Sequence, residues 1–125
     1  MFFKFKYSSE YQCVLGWVEG IASKEEVLKM LQEVYESDWY RDDMHEVWDY
    51  SRCEKMEIEV LELLEIFNFE KKVRNYGEQL KCAFIARQPM VKSILDEYCI
   101  LTQDAAYDIR VFANRTQAID WVQQG

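Results

Sequence analysis

His45, the one histidine of the chain, follows Asp42 and Asp43 and precedes Glu46. Imidazole beside carboxylates is a grouping that can ligate a metal or act as a general base. No second imidazole or paired thiolate accompanies it, so a solvated histidine in an acidic loop is expected and no metal is assigned. Glu57 with Glu59 and Glu62 with Glu65 read as a wet helix flank, since acid/base pairs need a fixed separation across a cleft. The four cysteines, Cys13, Cys53, Cys82 and Cys99, form no C-x-x-C pair. Cys53 adjoins Arg52, whose charge would favour a thiolate, yet no histidine supports it, and reduced, mostly buried thiols are expected. Glycines at 16, 20, 77 and 125 cannot build a phosphate loop. No catalytic residue and no cofactor is assigned, and the chain is not expected to be an enzyme; an unrecognised site near His45 and Asp49 is the enzymatic alternative.

Binding residues are better represented. Trp39, Tyr40, Trp48 and Tyr50 have large apolar bodies with polar tips, a chemistry that suits pocket walls as well as cores. Trp39, Trp48 and Asp49 are the pocket candidates. Asp49 ends a strand, where open α/β sheets place ligands. Helix capping or a salt bridge is the alternative for Asp49, and core packing for the tryptophans.

Residues 56–75 read as the longest helix. Val60, Leu61, Leu63, Leu64 and Phe67 fall within about 160° and are expected to face a sheet. Ile58, Ile66, Phe69 and Val73 gather within about 80° on the other side, broken only by Glu62. Burying such side chains is worth roughly 1.5–3 kcal/mol each, so a second apolar face calls for a cover. Three covers fit: the helix at 89–103 (or a bend at Asn68), a second copy or protein partner, or a lipid-like ligand or bilayer.

The elements that must position these residues follow from periodicity. Residues 2–7 alternate Phe3, Phe5 and Tyr7 with Lys4 and Lys6, and residues 11–18 alternate through Tyr11, Cys13, Leu15 and Trp17; together they read as a hairpin. Ser23-Lys24-Glu25-Glu26 is a capping box that opens a helix to about residue 36. A short strand at 46–50 precedes the long helix. The nearly unbroken apolar run 80–86 reads as a strand covered on both faces. Pro89 starts a helix to about residue 103, 109–112 is a last strand, and Asn114 caps a final helix. The order β-β-α-β-α-β-α-β-α calls for an α/β fold: a mixed, mostly parallel sheet of about five strands with an N-terminal antiparallel hairpin, covered by four helices.

The chain has 125 residues, half of them hydrophobic, with 15 Lys+Arg against 23 Asp+Glu, a net charge of −8. One domain over 1–125 is expected. The charge argues against nucleic acid and against docking to anionic lipid. No run of about 18 apolar residues exists, so no stable membrane insertion is expected. The first residues alternate lysine with aromatics, unlike a signal peptide, which makes a cytoplasmic location the expectation.

Four segments carry a family resemblance. They are Val18-Glu19-Gly20 followed by Ser23-Lys24-Glu25-Glu26; Val47-Trp48-Asp49-Tyr50; Ala83-Phe84-Ile85-Ala86; and Arg110-Val111-Phe112 running into Gln117-Ala118-Ile119-Asp120-Trp121-Val122. In this order they resemble the SpoIIAA-like family of the STAS superfamily. The resemblance implies an α/β sandwich without enzymatic activity that acts as a protein-interaction module. The similar CRAL-TRIO fold implies an alternative, an apolar ligand held under mobile helices with transient membrane association. Anti-sigma-factor antagonists switch through a serine in an Asp-Ser-Ser-Gly-type motif after the strand matching 47–50. Here that stretch is Met56-Glu57-Ile58-Glu59, and the nearest serine, Ser51, lies too early; no phosphorylation site is assigned.

Overall fold

The computed structural model describes residues 1–73, 80–103 and 108–124. Its elements are β1 (Phe2–Ser8), β2 (Cys13–Ser23), α1 (Lys24–Tyr35), β3 (His45–Glu57), α2 (Val60–Val73), β4 (Lys81–Ile85), α3 (Pro89–Leu101), β5 (Asp108–Phe112) and α4 (Arg115–Gln123). They form one five-stranded sheet in the order β1-β2-β3-β4-β5, with β1 antiparallel to β2 and all other pairs parallel. The expected α/β sheet with its opening hairpin is therefore present.

That order dictates the layers. Three successive parallel crossovers step in one direction, and crossovers of one hand then place α1, α2 and α3 on the same face of the sheet. The larger core forms there, joining Val14, Val18, Trp48 and Phe84 to α1, α2 and α3. Only α4 remains for the other face, where Ala118, Trp121 and Val122 meet Leu15, Val47, Ala83 and Ile85. Alternation along β1 sorts its residues accordingly: Phe3 and Phe5 join the three-helix core, while Lys4 and Lys6 are exposed.

Local chemistry sets the helix ends. The Ser23 hydroxyl accepts from the Glu26 amide at 3.3 Å and donates to the Glu26 carboxylate at 3.1 Å. Asn114 accepts from the Gln117 amide at 2.9 Å, and Pro89 occupies the first turn of α3. At α2 the Glu62 carboxylate accepts from the Glu59 amide at 2.9 Å, an N-cap contact not read from the sequence.

Two boundaries differ from expectation. β3 runs to Glu57, not to residue 50, because Glu19 to Ser23 of β2 continue to pair with Arg52 to Glu57 after β4 has ended. Cys53 and Met56 are buried while Arg52, Glu54, Lys55 and Glu57 are exposed, a wet ribbon whose polar residues obscure its strand character. The long helix consequently begins at Val60, not at 56. Residues 74 and 75, where its end was expected, lie outside the described residues.

Trp48 packs across the backbone of its β2 neighbour Gly16, where a Cβ would sit 2.0 Å from the Trp48 Cζ3. No shift of a flexible chain end relieves that overlap, since Trp48 is only 2% exposed. Gly16→Ala is expected to cost about 3 kcal/mol or more by overpacking, read as a lowered midpoint in urea unfolding; an unchanged midpoint would contradict this packing.

Candidate functional site

The second apolar face of the long helix turns out to be its inner one. Ile66 and Leu63 are buried with Glu70 on α2, and Ile58, just before the helix, is buried beside them. Phe69 is half-buried against the Tyr35 ring, with centroids 6.4 Å apart. Val73 stays exposed. The residues expected to face the sheet divide differently: Leu63 does so, Leu64 and Phe67 are half-buried, and Val60 and Leu61 are 48% and 72% exposed.

Glu70 explains the misread phase. It lies on the buried stripe of Leu63 and Ile66, where a carboxylate breaks the apolar pattern. Its two oxygens accept from the Tyr35 hydroxyl of α1 at 3.1 Å and the Tyr98 hydroxyl of α3 at 3.0 Å. Hydrogen bonds to both oxygens make burial of the group tolerable. Glu46 behaves likewise: 2% exposed, it accepts from the Trp48 indole at 2.8 Å.

Ile58, Ile66, Glu46, Glu70 and Trp48 share the wall of an internal cavity between the sheet and α1–α3, with a volume of about 30 Å³. Such a space holds a water or two, whereas small-molecule sites span about 300–1,000 Å³.

The expected pocket of Trp39, Trp48 and Asp49 does not assemble. Trp48 points into the three-helix core, and Trp39 lies over β1 against the Phe5 and Tyr7 rings. Asp49 turns to the opposite face, its Oδ1 accepting from the Ser51 amide at 2.8 Å. His45 is not a solvated loop residue: it opens β3, and its Nδ1 accepts from the Lys81 amide at 2.9 Å. Among the described residues no group of three or more His, Cys, Asp or Glu is placed to hold a metal.

Asp49, which lies within β3 and not at its end, instead belongs to a cleft of about 390 Å³ on the α4 face, beside the carboxyl end of β4. Lys4, Trp17, Glu19, Ser51, Arg52, Arg87 and Arg115 line it with Asp49. The strand end that singled out Asp49 in the sequence is not there, since β3 runs on to Glu57, and the cations come from four separate segments, which no local pattern connects.

The fold is similar to that of solved structures, among them these two. One is an uncharacterised DUF3478-family protein with a SpoIIAA-like fold from Shewanella loihica PV-4, at TM-score 0.59 and 11% identity over 96% of this chain and 91% of that one. The other is the anti-sigma factor antagonist SpoIIAA in its unphosphorylated form, at TM-score 0.54 and 14% identity over 98% of this chain and 99% of that one. The fold is SpoIIAA-like. Neither a family model nor a curated protein matches the sequence. In this SpoIIAA-like chain the approach to α2, residues 56–63, carries no hydroxyl, and Ser51 lies within β3 rather than at its end.

Burial bears out the expectation of an inert Cys53 thiol and outweighs the adjoining Arg52. Its thiol pKa is raised, not lowered, chiefly by desolvation, and Cys13 and Cys99 are pushed up to about 11 by the same cause. A raised pKa keeps the unreactive thiol form at neutral pH. At pH 7.5, labelling of Cys13 and Cys99 by a thiol reagent is expected to be on the order of 100-fold slower in the native protein than in urea, read by mass spectrometry; equal rates would contradict the burial. Glu70→Leu should destabilise by about 1–3 kcal/mol for each tyrosine hydroxyl deprived of that acceptor, with Glu70→Gln milder, as measured by chemical denaturation.

Proposed function

We propose that the protein is a non-enzymatic binding module of the STAS type, working in the cytoplasm through contact with a protein partner. The observation that carries this reading is the exposed start of α2. Leu61 is 72% and Val60 48% exposed there, with Leu64 half-buried on the same side. Around them Glu59 is exposed, while Glu57 and Glu65 are paired with Lys55 at 3.6 Å and Lys24 at 2.8 Å, so the surface fits a partner with an apolar centre and a polar rim. The likeness to an anti-sigma factor antagonist supports a protein partner over other occupants. No helix among the described residues is long and apolar enough to cross a membrane.

A carrier of lipid-like ligands is the second reading, favoured by the apolar wall of the internal cavity. At about 30 Å³ that space admits an acyl chain only if the helices part. An enzymatic site joining His45 to Asp49 loses its geometry, since the two lie four residues apart along β3, a rise of about 13 Å.

A photo-crosslinking residue placed at position 61, with position 100 as control, tests the first reading in cells of the source organism. A discrete adduct with another protein at 61 alone is expected. A self-adduct would replace the partner by a second copy, and no adduct at 61 would sink the reading. Native mass spectrometry of the same preparation reads a co-purified fatty acid, which would favour the carrier.

A further inference from the structure

The chain has an excess of eight negative charges, so a local surplus of cations stands out against the rest of its surface. The cleft on the α4 face has such a surplus. Four cations line it, Lys4, Arg52, Arg87 and Arg115, against two carboxylates, Glu19 and Asp49. Glu19 pairs with Arg52 at 3.1 Å, and the Asp49 Oδ1 is held by the Ser51 amide. Among the described residues, Lys4, Arg87 and Arg115 have no carboxylate within ion-pair distance.

Trp17 organises two of these three. The Lys4 Nζ lies 5.3 Å and the Arg115 guanidinium carbon 5.4 Å from the indole ring. Cation–π contact holds a charged group in place without neutralising it, so both stay available to an anion. Arg115 is also the first residue of α4, whose amino end carries a partial positive charge. The Asp49 charge opposes an anion, but it stands against three uncompensated cations. The cleft volume of about 390 Å³ lies within the range of small-molecule sites and well above that of a bare ion.

We propose that this cleft binds a phosphorylated small molecule, its phosphate held by Arg87, Arg115 and Lys4 beside the carboxyl end of β4. Guanidinium groups match phosphate oxygens in pairs, and the concave wall favours a soluble ligand over a lipid surface. This site is independent of the partner surface on α2, so either proposal survives failure of the other.

The test is amide chemical-shift titration of the full chain with inorganic phosphate and with glycerol phosphate, at matched chloride ionic strength. Saturable shifts at residues 17, 52, 87 and 115 are expected, with glycerol phosphate at least as tight as phosphate. Arg87→Gln and Arg115→Gln should each weaken binding about tenfold, while Lys92→Gln on the outer side of α3 should leave it unchanged. Lys4→Gln, on an exposed edge-strand residue, gives a third variant should Arg115→Gln disturb the packing on Trp17. Non-saturable shifts, or equal affinity in all variants, would overturn the proposal. So would flotation with phosphatidic acid vesicles in the absence of any response to the soluble phosphates, which would make a lipid surface the source of the group.

Discussion

The uniform stepping of the strands from β1 to β5 is the constraint on which the rest of the molecule depends. With three crossovers in one direction and of one hand, no connecting helix can reach the second face. The first face becomes a three-helix core and the second is left to α4 alone, nine residues that pack on β3, β4 and β5. An apolar sheet half-covered in this way would be a liability. Lys4 and Lys6 on β1 and the cleft residues beside β2 make the open part polar instead. The cleft is thus a product of topology: it lies where α4 leaves the sheet uncovered and where β4 ends while β3 runs on.

Within the three-helix layer, polar atoms fix what apolar packing leaves loose. Glu70 receives one tyrosine hydroxyl from α1 and another from α3, so the middle helix is registered against both neighbours. Hydrophobic contact alone tolerates sliding by a turn, whereas a buried carboxylate must meet its donors. Turning Leu63, Ile66 and Glu70 inward in turn pushes Val60 and Leu61 out. The exposed apolar start of α2 is therefore linked to the buried acid a helix length away.

The architecture was legible because its signals are local and repeated. Alternation at Phe3, Lys4, Phe5 and Lys6, the box at Ser23 to Glu26, the apolar run around Ala83 and the cap at Asn114 each mark an element whose neighbours in sequence enforce it. Where polar residues had long-range partners the reading failed. Glu70 disguised the inner stripe of α2, and the wet residues of the β2–β3 ribbon made 51–57 look unlike a strand. His45 was placed in solvent, although the Lys81 amide thirty-six residues on takes its Nδ1.

What the sequence determined by itself is the order and type of the elements, and with them the mixed sheet, since periodicity and capping are properties of a few adjacent residues. Which side of α2 faces the core, and which of Trp39, Trp48 and Asp49 share a surface, was decided only when the chain closed. So was the meeting of Lys4, Arg87 and Arg115 in one cleft with Trp17. Each of these depends on groups from distant segments satisfying one another's charge or hydrogen bonds, and that matching exists only in three dimensions.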